Sequence, residues 1–175
     1  MSSFASANEV VFATPWFQVH SSQPAGQAEP YYTIHTLDFA VVVAVDQRGR
    51  LLLVRQFRPA VGQFTLEPPA GHVDPGETPE QSARKELCEE TGYEADSFEL
   101  IAVLSPSTAR YANRSWVYFA SGVRPAKNPS HAREAGVELV FYEGRARALV
   151  QEPEFFAAGG YAAIFAAVAK GKIPL

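Results

Sequence analysis

Three carboxylates, Glu86, Glu89 and Glu90, fall within little more than one helical turn of the stretch GHVDPGETPEQSARKELCEETGY, residues 71–93. On a helix, Glu86 and Glu90 stack at i,i+4 and Glu89 flanks them at i+3 from Glu86. Like charges at this spacing repel by roughly 0.2–0.5 kcal/mol per pair. Two arrangements make such a face tolerable: water around it, or a cation held by it. Carboxylates joined by a backbone carbonyl are hard oxygen ligands of the kind Mg²⁺ or Mn²⁺ takes. Magnesium also shares its shell with waters and substrate phosphates. The segment in front bears on the choice. EPPAGHVDPGE, residues 67–77, has prolines at 68, 69 and 75 and glycines at 71 and 76. It is a rigid approach that can bring main-chain carbonyls to the side of the helix.

The helix that must position these acids is well punctuated. Thr78 is a good N-cap, Pro79 suits the first helical position, and Gln81 completes a capping box. Gly92 is the natural C-terminal stop. The spacing predicts a helix over 79–91, with Ala83 and Leu87 facing inward and Glu80 paired with Arg84. Cys88 lies on this helix as a small packing residue, its thiolate disfavoured by the negative charge of Glu89.

The rest of the chain must supply a scaffold. With 175 residues, 47% of them apolar and 19% charged, the chain fits one domain with a substantial core. A net charge of −4 argues against a nucleic-acid groove built on bulk basic charge, so no nucleic-acid partner is expected. A single cysteine allows no intramolecular disulfide. The opening residues, MSSFASANEVVFATPWF, lack the basic start and long apolar core of a signal peptide. The longest apolar run, FAVVVAV at 39–45, falls well short of the roughly 20 residues that span a membrane. A soluble, cytoplasmic protein with no membrane partner is expected.

Strands are predicted around Val10 to His20 and around Tyr31 to Leu37, separated by the loop SSQPAGQAEP at 21–30. FAVVVAV, DQRGR and LLLVRQF read as a buried hairpin with Gly49 in its turn. FELIAVL (98–104), SWVYFAS (115–121) and VELVFY (137–142) are further strands, and helices are expected near 144–150 and 161–170. The result is an α+β fold, a mixed sheet with helices packed outside it.

Residues 71–93 resemble the Nudix box, G-x5-E-x7-R-E-U-x-E-E-x-G-U, where U is a bulky apolar residue. Gly71, Glu77, Glu86, Leu87, Glu89, Glu90, Gly92 and Tyr93 fall in register, and Lys85 stands in the arginine slot. Upstream, LLLVRQFRPAVGQFTLEPPAG is similar to the ADP-ribose and ADP-sugar pyrophosphatase branch of the Nudix hydrolases. The resemblance implies a Nudix-type α/β/α sandwich with extra N-terminal antiparallel strands. Residues 1–38 would form a dimerisation and substrate-binding extension, and residues 39–175 the hydrolase domain. It also implies an enzyme that uses Mg²⁺, or Mn²⁺, to cleave a nucleoside diphosphate linked to another moiety. Another nucleotide sugar or a dinucleotide as substrate, and a silent nucleotide-sensing module, are the competing readings.

Carried over residue by residue, Ala70 offers its carbonyl to the metal, Glu86 and Glu90 are ligands, and Glu89 is a further ligand. Arg58 would contact the diphosphate, with Glu67 near the substrate. The family arginine forks onto a box glutamate, and Lys85 has the charge without the fork. The branch places its general base on a late loop, where SHAREAGVE (130–138) makes Glu134 the candidate and Glu138 a weaker one. The loop SPSTARYANRSW (105–116) departs from the branch, Thr108 standing where a proline is usual. Its Arg110 and Arg114 either bind phosphate or pair with the acidic surface. Branch members are commonly homodimers whose N-terminal strands help build the partner's site. Trp16, Phe17, Tyr31 and Tyr32 are placed either to stack on a base in that way or to pack in the core. The histidines at 20, 35, 72 and 131 show no metal spacing.

Overall fold

The structure, a computed structural model, describes residues 9–127 and 135–175. In chain order the strands are β1 Glu9–Ala13, β2 Gln18–Ser22, β3 Tyr31–His35, β4 Phe39–Asp46, β5 Leu51–Arg58, β6 Gln63–Glu67 and β7 Ala70–His72. Helix α1 spans Pro79–Thr91, followed by β8 Tyr93–Glu94, β9 Ser97–Leu104, β10 Ser115–Pro125 and β11 Val137–Tyr142. Two helices close the chain, α2 Ala146–Leu149 and α3 Ala158–Ala169.

The central sheet runs β11-β5-β4-β10, with β8 and β9 beyond β10. It is mixed: β4 and β10 are parallel and their other pairings are antiparallel. Alternation along β4 explains the layers, because successive side chains point to opposite faces. Ala40, Val42 and Ala44 join Leu52, Tyr118 and Ala120 beneath Ala83 and Leu87 of α1. Val41 and Val43 join Leu51, Leu53, Val117, Leu149, Phe155 and Ile164 on the other face, under α2 and α3. Both faces of β4 are covered, so it reads as a continuous apolar run. The fold is therefore an α/β/α sandwich, as the resemblance implied. Leu87 is fully buried, and burial of such a side chain stabilises by about 1.5–3 kcal/mol.

The expected hairpin forms. Asp46 Oδ1 accepts from the N–H groups of Arg48 and Arg50, each at 2.9 Å, and Gly49 takes φ +79° in the turn. Beyond that turn the two strands part. β4 and β5 pair only at Ala44–Leu52 and Val45–Leu51. Further along, β5 takes β6 as its partner, and β4 takes β7. Pro68 and Pro69 carry the chain between the two edges, and Pro69 O accepts the Val42 N–H at 2.8 Å. Strands β6, β7 and β8 were absent from the sequence reading because they are short and flanked by breaking residues.

The N-terminal segment departs from expectation. Val10 to His20 is two strands, not one. Thr14 Oγ1 accepts from the N–H groups of Trp16 (3.1 Å) and Phe17 (3.0 Å), turning the chain at Pro15. The resulting three-stranded sheet β1-β2-β3 is antiparallel throughout. It is tied to the rest by hydrogen bonds between Ile34 and the loop at 110–112. Trp16 at the turn is 75% exposed, which excludes core packing for it. α3 begins three residues before the expected Tyr161, through Gly159 and Gly160, and α2 is shorter than 144–150. No described helix is long and apolar enough to cross a membrane.

Candidate active site

The fork where β4 and β5 separate is the place the acidic helix faces. α1 forms as its caps predict. Thr78 Oγ1 accepts from the Gln81 N–H at 3.2 Å, and Gln81 Oε1 accepts from the Thr78 N–H at 2.8 Å. Gly92 takes φ 74° and donates to Cys88 O. Glu80 and Arg84 pair at 2.9 Å. The Cys88 thiol is pushed up chiefly by burial, with the charges of Glu89 and Glu94 adding to it. The neighbouring charge that the sequence suggested as the cause is thus the smaller one.

Anchored by Ala83 and Leu87, α1 presents Glu86 and Glu90 to a cavity of 380 Å³ whose wall includes Arg58 (β5), Glu67 (β6), Ala70 and Gly71 (β7). Glu90 is 3% exposed and accepts the Ala70 N–H at 2.9 Å. That bond aligns helix and strand and fixes one carboxylate oxygen. Glu86 is half-buried against Gly71. A Cβ on residue 71 would overlap the Glu86 carboxylate, so glycine is what lets this side chain lie along β7. This role for Gly71 has no signal in the sequence beyond the glycine itself.

Arg58 and Glu67 form the facing wall. Arg58 Nε donates to Glu67 Oε1 at 3.1 Å and Nη2 to Oε2 at 2.8 Å. Thr65 Oγ1 adds a bond to Glu67 at 2.5 Å. Burial alone would push the Glu67 carboxyl up, but these bonds and the Arg58 charge outweigh it and hold it below its ordinary 4.5. A depressed folded value means that the pair's stabilisation is fully present above pH 4.5 and is lost as pH falls through the lower folded value. At neutral pH the fork therefore holds the guanidinium plane at the cavity wall. Glu67 thus works as the holder of Arg58.

Lys85 in the arginine slot reaches two acids. Its ammonium lies 2.5 Å from Asp74 Oδ2 and 3.4 Å from both oxygens of Glu77. The bond to Asp74 leads in raising the Lys85 pKa and lowering that of Asp74. Glu77 also accepts from buried Ser82 Oγ at 2.6 Å. Lys85 therefore bridges the approach loop to the box glutamate, and Asp74 is a partner the sequence did not suggest. Lys85→Ala is expected to lower turnover by about tenfold, the scale of one charge-assisted hydrogen bond. Lys85→Arg, with a planar fork for Glu77, should raise it above the parent. Steady-state kinetics of the three proteins at saturating divalent ion checks this, and parity of Lys85→Ala with the parent would remove any role for the slot.

The other sequence candidates fall elsewhere. Glu89 is half-buried and does not line the cavity. Among the described residues no three His, Cys, Asp or Glu side chains converge as a ready metal cluster. Trp16 lines a neighbouring apolar cavity of 270 Å³ with Phe17, Phe39, His72 and Tyr111. Phe39 and His72 also line the carboxylate cavity, so the two adjoin. Arg110 lies in a third cavity and stacks its guanidinium 4.7 Å from the Tyr31 ring centroid. Glu134 lies outside the described residues. A larger cavity, 620 Å³, is lined by Arg145, Arg147, Ala148, Gln151 and Leu175 and has no acidic side chain to share a cation.

The donor set suits a hard divalent ion. Two carboxylates, Glu86 and Glu90, meet at a strand that carries the Ala70 carbonyl, and the Gly71 cradle keeps Glu86 against that strand. Such a set leaves most of the ion's shell to water and to substrate phosphate.

Residues 34–154 match the NUDIX domain family. The ADP-sugar pyrophosphatase of Mus musculus is 33% identical over 107 residues, 53% of this chain and 49% of that protein. The ADP-ribose pyrophosphatase of Mycobacterium tuberculosis is 30% identical over 121 residues, 68% of this chain and 58% of that protein. A crystal structure of ADP compounds hydrolase superposes with a TM-score of 0.78 over 95% of both chains, at 20% identity, a likeness of fold. The chain spans about half the length of the curated relatives it matches.

Proposed function

Because the chain belongs to the NUDIX domain family, we propose that it is a Mg²⁺-dependent pyrophosphatase acting on a nucleoside diphosphate linked to a second moiety, ADP-ribose or an ADP-sugar first among them. The observation that carries this reading is the single cavity in which the Glu86–Glu90 pair faces the Arg58–Glu67 fork. An acidic wall that suits a cation and a fixed guanidinium suit the two charges of a metal diphosphate. The activities for which the two pyrophosphatase relatives are named agree with it.

Glu86, Glu90 and the Ala70 carbonyl would hold the ion; Glu89, outside the cavity wall, enters as a further ligand on the family resemblance alone. The ion, when bound, neutralises phosphate charge and lowers the pKa of a bound water. The chain does the rest. Arg58 anchors the diphosphate, and Glu67 prevents the guanidinium from rotating away. Fixed in advance, Arg58 stabilises charge that develops on the phosphoryl oxygens without reorganising. Glu134 is the proposed general base, and Trp16 stacks on the base of the nucleotide. Incubation with Mg²⁺ and a panel of ADP-ribose, ADP-sugars, other nucleotide sugars and dinucleotides tests the reading by release of a nucleoside monophosphate. Release from none of them would sink it.

A homodimer is part of the proposal. β1 is exposed along its whole length, and Val10, Val11 and Phe12 show apolar surface there. Exposed apolar edges of this kind favour association. Deleting residues 1–30 should lower both dimerisation and substrate affinity. A truncated chain that sediments as a monomer yet keeps full activity would exclude it.

A further inference from the structure

We propose that the loop at 105–114, with Thr33 of β3, forms an anion subsite for an additional phosphate on the nucleoside part of the substrate. This rests on the pyrophosphatase reading of the neighbouring cavity and narrows its substrate class. The subsite is a cavity of 340 Å³ lined by Thr33, Ser105, Thr108, Arg110, Tyr111 and Arg114 among others, with no carboxylate in its wall. Two guanidiniums and four hydroxyls make a donor set suited to phosphate.

The sequence left open whether these arginines pair with the acidic surface. Among the described residues they do not. Arg110 Nη1 donates to Ala109 O at 3.1 Å, and Arg114 Nη1 to Ala112 O at 3.3 Å and Asn113 O at 3.4 Å. Arg50, Arg55, Arg58, Arg84 and Arg124 each have an Asp or Glu partner. Arg48, Arg145 and Arg147 show none among the described residues, but no hydroxyl-bearing side chain lines the cavity of Arg145 and Arg147. Two neighbouring arginines without one, in a chain of net charge −4, mark a place that attracts an anion.

Buried polar atoms point the same way. Ser105 Oγ, in the cavity wall, is buried without a hydrogen-bond partner. Asn113 in the same loop is 4% exposed, and both atoms of its amide lack a partner. Buried polar groups are nearly always satisfied, so the unmet Ser105 hydroxyl marks a group available to a ligand in that cavity, whereas Asn113 does not line it.

The loop is held in place before any ligand arrives. Ile34 N–H donates to Arg110 O at 2.7 Å, and Ala112 N–H to Ile34 O at 3.0 Å. Asp38 Oδ1 accepts the Arg114 N–H at 2.7 Å, and the Tyr31 hydroxyl bonds Ala109 O. Shared walls then set the order along the surface. Phe39 and His72 join the carboxylate cavity to the apolar one, and Tyr111 joins the apolar one to the arginine cavity. The apolar cavity therefore adjoins both of the others. In an adenosine diphosphate phosphorylated on its ribose the diphosphate, the base and the added phosphate branch from one sugar, so three adjoining cavities suit the three groups.

Calorimetry on the full chain compares binding of AMP, adenosine 2′,5′-bisphosphate and adenosine 3′,5′-bisphosphate. The two bisphosphates tell which hydroxyl carries the group. One of them should bind about tenfold or more tighter than AMP, the scale of a charge-assisted hydrogen bond or better. Arg110→Ala/Arg114→Ala should bring that ratio to unity, whereas Arg147→Ala should preserve it. Bisphosphates that bind the wild-type chain no tighter than AMP would overturn the proposal even if no variant folds. So would an advantage that survives the double substitution. Failure of the pyrophosphatase reading is seen separately, as no monophosphate released from any substrate.

Discussion

Glu90→Gln is expected to lower kcat by about 10³-fold or more, roughly 4 kcal/mol of transition-state stabilisation, with little change in Tm in the absence of divalent ion. Two facts separate the effects. Glu90 is almost fully buried and its carboxylate accepts the Ala70 N–H. A glutamine of the same shape can keep that bond through its amide oxygen, so the junction of helix and strand survives. What it cannot keep is the negative charge, and divalent ions depend on carboxylate charge. Removing a buried charge near Glu86 also relieves the i,i+4 repulsion, which further protects Tm. Kinetics with thermal melts, with and without Mg²⁺, checks both halves. Near-normal turnover would remove Glu90 from the metal site, and a large loss of Tm would make its role structural.

Gly71→Ala is expected to be nearly as damaging by a different route. Residue 71 is not among the glycines with positive φ, so alanine can adopt its backbone conformation. The added methyl would overlap the Glu86 carboxylate. That carboxylate is the end of a flexible side chain, so it swings aside and the fold is kept. Misplacing a catalytic group by about 1 Å costs on the order of 10²-fold in rate. Affinity for Mn²⁺ should fall in parallel. A shorter carboxylate supplies an internal check. Glu86→Asp should cost less in the Gly71→Ala background than alone, because the two changes share one space. Strict additivity of the two would place the effect of Gly71 somewhere other than Glu86.

The local features of this site were legible in the sequence, and the long-range ones were not. Thr78, Gln81 and Gly92 bound the acidic helix through bonds within a few residues, and the capping pattern places both ends. The same 3.6-residue period puts Glu86 and Glu90 on one face. Nothing local says that β4 and β5 part after two residue pairs, or that β6 and β7 each take one of the freed edges. Yet that fork makes the cavity. The partners of the charged groups are equally remote: Arg58 finds Glu67 across β5 and β6, and Lys85 finds Asp74 on the approach loop. The turn at Thr14 was hidden for another reason. It is closed within four residues by the Thr14 hydroxyl and by a main-chain bond from the Thr14 N–H to Phe17 O, with Pro15 as its one local mark, inside a stretch that otherwise reads as a single strand.

The bond that is broken tests the central claim most directly. The best substrate of the panel is turned over in ¹⁸O-labelled water, with Mg²⁺ and again with a chelator, and the products are weighed by mass spectrometry. A pyrophosphatase acting through Glu86, Glu90 and Arg58 should release a nucleoside monophosphate and a phosphorylated second moiety. One water oxygen should appear in one of those two phosphates, and nothing should form with the chelator present. Products that keep the diphosphate intact, or cleavage that persists without divalent ion, would contradict the account.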